Sequence, residues 1–238
     1  MSSYNRQLQG DLARLRLRPV AAAPFLGGRP CLDFANTVSG WQASPPTQGF
    51  EPLEDRLGDY TDLLAWAQRA GLLDQASVAE LWREAHRRPR DAEAVVARAR
   101  RLRQAIYRTG RLLSGRVKPV DTDVEALLTE VQAARQHARL RASDTGLAWT
   151  TVADPRALDR VLWPIAQSAV DYFTTRDLSR LGVCPGEECG WLFEDTSRNR
   201  SRRWCDMADC GNLDKVRRFR SRRVSRGSLR VAGDSAKR

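Results

Sequence analysis

The sequence predicts a mainly α fold with a small β-hairpin. A helical N-terminal domain is followed by a small four-cysteine module that ends in a helix. Three observations carry this expectation. Apolar residues recur with helical spacing through most of residues 57–173. One Ser143-Asp144-Thr145-Gly146 turn signal separates two short runs. Four of the five cysteines fall between Cys184 and Cys210. With 238 residues, 42% of them hydrophobic and seven of them Trp, the chain has the material for a core, which excludes a wholly disordered protein. Mean hydropathy is −0.53. No apolar run approaches the roughly 20 residues of a membrane helix. The polar, Arg-bearing start, whose only apolar patch is Val20–Leu26, carries no export signal, so the expected location is the cytoplasm.

The elements follow in order. Leu57–Ala70, with Leu63, Leu64, Trp66 and Ala67, reads as a helix stopped by Gly71. Ser77-Val78-Ala79-Glu80 has the form of a capping box and opens a second helix running to Arg88, before Pro89. A third spans about Asp91–Ser114, with Val95, Ala99, Leu102, Ile106 and Leu113 on one face. Its Arg98, Arg100, Arg101 and Arg103 read as a solvated face. A fourth runs from Asp121 to His137. Ala138–Ala142 and Leu147–Val152 then form the hairpin. Asp154-Pro155 starts the last helix of the domain, striped by Leu158, Val161, Leu162, Ile165, Ala169, Val170 and Phe173, with a kink expected at Pro164. Leu181-Gly182-Val183 leads on without a linker. The domain boundaries read as a disordered tail over 1–22, the helical domain over 23–181, the cysteine module over 182–225 and a disordered basic tail over 226–238.

The module has the pattern C-x4-C-x15-C-x4-C, with Cys184 and Cys189 in one pair and Cys205 and Cys210 in the other. Each pair offers two thiolates from one tight loop, which suits a tetrahedral zinc site. Pro185, Gly186 and Gly211 supply turn geometry. The alternatives are two disulfides, which a reducing compartment disfavours, redox cysteines, or an iron–sulfur cluster. Cys31 stands alone in an apolar stretch and reads as a small buried residue. Four protein thiolates close the coordination shell, so such a metal folds the segment and hydrolyses nothing. Trp191, Phe193, Trp204 and Phe219 read as the module's miniature core. Base stacking by Trp204 is the lesser alternative.

The chain's net charge of +11 is concentrated here. Residues 198–230 hold twelve basic residues and three acids, a net +9, while the other 205 residues carry +2. A basic block of this kind meets a polyanion. Guanidinium pairs bidentately with phosphate, so Arg198, Arg200, Arg202, Arg203, Lys215, Arg217 and Arg218 are the candidate DNA ligands. Val216 and Phe219 at i, i+3 predict a short helix docked on the second knuckle, with Asn212 as its N-cap.

The residues from Cys184 through Gly190-Trp191-Leu192-Phe193, Asp195, Ser197-Arg198-Asn199, Arg202-Arg203-Trp204-Cys205 and Met207 to Cys210-Gly211-Asn212 resemble the CGNR zinc finger. In bacterial proteins described as stress-induced transcription regulators, that finger follows an ABATE domain. The ABATE domain opens with a motif that Gly28-Arg29-Pro30-Cys31-Leu32-Asp33-Phe34-Ala35-Asn36-Thr37 resembles. The two motifs cover the chain from about Phe25 to Arg223 in the expected order. The sequence departs at Leu213, where the finger's motif ends in Arg. The resemblance implies a stress- or ligand-responsive regulator. It makes Asp33 and Asn36 candidate ligand-binding residues for a small-molecule effector, against the alternative that they cap chain ends or satisfy backbone donors.

No catalytic constellation, P-loop or dinucleotide fingerprint stands out, so the chain is not expected to be an enzyme. The reading is a zinc-dependent DNA-binding transcriptional regulator that touches no membrane. A lone small finger gives limited specificity, which makes a homodimer an option. The rivals are an RNA-binding finger, a protein-interaction finger meeting an acidic partner, and an N-terminal small-molecule enzyme using Asp33.

Overall fold

The structure, a computed structural model, describes residues 20, 23–41, 54–152, 154 and 156–221. The two expected tails lie almost wholly outside these residues, as does Pro155. Short helix α1 (Pro30–Ala35) leads to strand β1 (Val38–Ser39), which pairs antiparallel with β2 (Glu54–Asp55). Helices α2 (Tyr60–Arg69), α3 (Gln75–Arg87), α4 (Pro89–Ser114) and α5 (Asp121–Gln136) follow. Then come the β3–β4 hairpin (Ala138–Ser143, Gly146–Thr151), a 3-10 turn at Leu158–Val161 and α6 (Trp163–Thr175). Strands β5 (Leu181–Val183) and β6 (Leu192–Glu194) carry the chain into the cysteine module, which ends in helix α7, described over 212–221. No helix of the described residues is long and apolar enough to cross a membrane.

The order and type of the helices agree with the sequence reading; their starts differ. Helix α2 begins at Tyr60, three residues later than expected. Asp59 accepts from the Asp62 N–H at 2.9 Å while Asp62 accepts from the Asp59 N–H at 3.3 Å, a capping box that fixes the first turn. Its stop is Gly71, in the left-handed region at φ +69°. Helix α3 is capped by Asp74, which accepts from the Ser77 N–H at 2.8 Å. Ser77 is therefore the capped residue rather than the cap. The expected helix from Asp154 is broken into the 3-10 turn and α6. Pro164 stands in the first turn of α6, where its missing N–H costs nothing, so it opens a helix instead of kinking one.

The 26-residue α4 runs through the core, burying Val95, Ala99, Leu102 and Ile106 as the periodicity predicts. Its arginines correct the expectation of a solvated face. Arg103 is 3% exposed and donates to both carboxylate oxygens of Asp55 at 2.7 and 2.6 Å. Arg98 forks onto Glu130 of α5 at 3.0 and 2.8 Å. Arg100 donates to the Leu57 and Gly58 carbonyls. Only Arg101 of the four matches the solvated reading. The hydrophobic core is continuous: it extends from α1–α6 into Leu181, Cys184, Trp191, Leu192, Phe193, Trp204 and Cys205. The cysteine module thus shares the core of the helical body.

Candidate metal centre

Strands β5 and β6 pair with Leu181 opposite Glu194 and Val183 opposite Leu192. This places Gly182 under the Phe193 ring, where a Cβ would fall 2.5 Å from Cζ; only glycine fits there. The pair ends in the first knuckle. The Cys184 N–H donates to the Trp191 carbonyl at 2.8 Å, the Cys189 N–H to the Gly186 carbonyl at 3.0 Å, and Gly190 turns the chain at φ +74°. The second knuckle is a wide π-type turn, Met207–Gly211, capped by Asp206, whose carboxylate accepts from the Ala208 N–H at 2.8 Å.

The four sulfurs of Cys184, Cys189, Cys205 and Cys210 all lie within 4.8 Å of one another. Cys189 and Cys205 are 3.5 Å apart and Cys205 and Cys210 3.6 Å. A disulfide needs about 2.05 Å, whereas a tetrahedron with Zn–S of about 2.3 Å has edges of about 3.8 Å. A Cβ on Gly186 would come within 3.2 Å of the Cys210 sulfur, so the first knuckle closes on the cluster through that glycine. The crowding also shows in the protonation equilibria. Hydrogen bonds from the Cys189 and Cys205 thiols push Cys184 down to about 2, and the same contact with Cys184 pushes Cys189 up. Ionising all four thiols at this separation would require a cation among them. The residues fit Zn2+, which would be held by these four thiolates and would supply folding energy and no reaction. Cys31 is fully buried and its thiol is pushed up to about 12 by burial, an inert position.

The loop between the knuckles is held rigid by two residues. Buried Asp195 accepts from the N–H groups of Ser197 at 2.8 Å and Arg202 at 2.9 Å. The Arg202 guanidinium lies 4.7 Å over the Phe193 ring and donates to the carbonyls of Leu26, Glu194, Trp204 and Cys205. Arg202, expected to bind phosphate, is therefore committed inside the protein. Arg198 and Arg203 are exposed, the latter 5.1 Å over the Trp204 ring. Arg200, at φ +52°, reaches Asp177 at 3.0 Å. On α7, Lys215 is exposed, Arg217 pairs with Glu187 at 2.6 Å and Arg218 with Asp214 at 2.6 Å.

Two expectations about α7 are corrected. Val216 and Phe219 are 47% and 61% exposed, so they do not join the buried core. The helical chain also begins a turn before Asn212, at the Asp206 cap, and the Asn212 amide donates back to the Ala208 carbonyl at 2.8 Å. Trp204 is buried, which disfavours base stacking.

Asp33 and Asn36 stand at the joint between body and module. The Asn36 amide donates to the Leu192 carbonyl at 2.8 Å and accepts from the Leu192 N–H at 2.9 Å, pairing with β6 as a neighbouring strand would. Asp33 accepts from the Gly27 N–H at 2.7 Å, and burial raises its carboxyl to about 6. Around them, the Glu194 N–H donates to the Gly27 carbonyl at 2.8 Å, Arg29 pairs with Glu194 at 2.7 Å, and the Trp191 indole donates to the Val38 carbonyl at 2.7 Å. Of the two sequence readings of Asp33 and Asn36, these contacts match the one in which they satisfy backbone donors. The sequence does not show that the partner of Asn36 is β6, although the missing linker after Leu181 points to a close joint.

Residues 28–176 match the family model ABATE, described as "Putative stress-induced transcription regulator", and residues 180–223 match the CGNR zinc finger. No curated protein matches the chain. With one family model covering more than half of its length and a second spanning all four clustered cysteines, the chain belongs to the ABATE family and carries a zinc-binding CGNR finger.

Proposed function

We propose that the chain is a DNA-binding transcriptional regulator whose finger, folded by zinc, presents cations to the phosphate backbone. In this reading residues 23–181 form the regulatory body and residues 182–225 the DNA-binding module of a cytoplasmic protein that is not an enzyme. The observation that carries it is the loop between the knuckles. Asp195 and Arg202 fix its shape from inside, while Arg198 and Arg203 stand exposed on it, with no carboxylate partner among the described residues. Lys215 extends the cationic surface onto α7, Arg200 and Arg217 can exchange exposed carboxylates for phosphate at little cost, and Arg218 pairs with the half-buried Asp214. A groove of about 1070 Å3 beside the cysteines is lined by Glu187, Glu188, Asp206, Asp209 and Asp214 together with Arg56 and Arg217, so its acids compete with phosphate for Arg217. Phosphate contacts position a duplex without reading its sequence.

The test is binding of the full chain to duplex DNA across a salt series, before and after zinc chelation. The logarithm of affinity should fall with log salt at about −0.9 per phosphate contact. Chelation should abolish binding. It should also lower the melting temperature of the whole chain, because the finger shares the body's core. Salt-independent affinity, or equal affinity without zinc, overturns the reading. Stronger binding to duplex RNA at equal salt would move it to the other polymer.

A further inference from the structure

We infer that a cavity between the β3–β4 hairpin and the helices is a binding site for a flat aromatic monocarboxylate. The cavity, of about 860 Å3, lies where the hairpin meets the starts of α3 and α6 and the end of α5. That volume falls within the roughly 300–1,000 Å3 of small-molecule sites. Every lining residue belongs to the segment that matches the ABATE model and none to the finger. The inference is therefore independent of nucleic-acid binding.

Two kinds of chemistry meet in its wall. The first is apolar and aromatic: Leu72 and Leu73 with the indoles of Trp149 and Trp163. Trp149 is 74% exposed, an unusual position for so large an apolar ring, and a planar ligand stacked on it would remove that surface from water. The second is an excess of hydrogen-bond donors. Arg160 and Trp163 are more than nine-tenths buried, yet the Nε of Arg160 and the Nε1 of Trp163 have no acceptor among the described residues. Arg135, at the rim, likewise has no partner among the described residues. Within the wall, Asp171 Oδ1 accepts from the Gln167 amide at 2.8 Å and the Ser77 carbonyl from Arg160 at 3.2 Å, which leaves the two buried donors unmatched. Those donors call for a ligand that brings acceptors.

Charge narrows the class further. Arg160 is offset by Glu80 at 2.9 Å, and Arg135 and Asp171 are the other two charges of the wall. A single carboxylate satisfies Arg135, whereas a dianion would also face Asp171. The hydrophobic walls take the ring, and the guanidinium side takes the carboxylate.

The probe is 2-naphthoate, titrated calorimetrically into the full zinc-loaded chain without nucleic acid, with neutral 2-naphthamide as its control. Saturable one-to-one binding is expected, with the amide weaker by about 10-fold. Arg135→Gln, a rim change that leaves the core intact, and Trp149→Ala should each weaken 2-naphthoate by about 10-fold. Leu147→Ser, two residues before Trp149 on β4 and outside the cavity lining, should change nothing. Absence of saturable binding up to about 1 mM would overturn the site. So would parent-like affinity in both Trp149→Ala and Arg135→Gln, or a loss in Leu147→Ser equal to theirs. Any of these results would leave the DNA reading standing, since no DNA is present in the measurement.

Discussion

The arginines of α4 and those of the finger share one chemistry and meet opposite surroundings. Arg98 and Arg103 point at carboxylates within the body, and Arg103 is almost fully buried against Asp55. Arg198 and Arg203 point outward from a loop that buried residues hold in place. Counting charge along the chain cannot separate the two groups. What separates them is whether the fold supplies an anion. An arginine whose acid is already present contributes to stability, and one left without an acid is available to a partner.

The contrast can be broken by substitution. Arg103→Ala removes a buried guanidinium from Asp55, which is itself exposed and keeps Arg100 at 3.9 Å, and should cost about 2–3 kcal/mol in chemical denaturation, the largest effect expected. Equal stability of variant and parent would show that the pair is not needed. Arg202→Ala sharpens the comparison, because this finger residue behaves like a body residue. Losing its contacts to four carbonyls and its stacking on Phe193 should cost about 2 kcal/mol. Zinc should also exchange faster to a competing chelator, since Glu194 and Cys205 lose a shared tie. Arg198→Ala is the smallest in stability, within about 0.5 kcal/mol of the parent. Its effect should appear on DNA, where the salt slope should fall by about 0.9. An Arg198→Ala chain with parental salt dependence would remove that residue from the interface.

Much of this was legible in the sequence, for identifiable reasons. Zinc ligands are a chemical type at a fixed spacing, so Cys184, Cys189, Cys205 and Cys210 announce themselves, and the structure brings their sulfurs together. Helix α4 was legible because its apolar face repeats over seven turns. Helix starts were less so: Asp74 and Ser77 are both good caps, and only the backbone shows which one accepts. Arg202 and Arg203 are adjacent and identical, and nothing local distinguishes the clamp from the exposed residue. The same holds for Asn36. Its partner is the backbone of Leu192, and a peptide group carries no residue identity to read.

The pairing of Asn36 with Leu192 spans 156 residues of chain. It therefore bears on the order in which the molecule is built. Strand β6 has its amide partner only once α1 is in place, because Asn36 is the C-cap of α1. Synthesis makes the helices before the finger, so β6 is registered onto segments that precede it. Because the finger's Trp191, Leu192 and Phe193 belong to the same core as the helices, the body's packing is complete only once β6 and the knuckles have joined it.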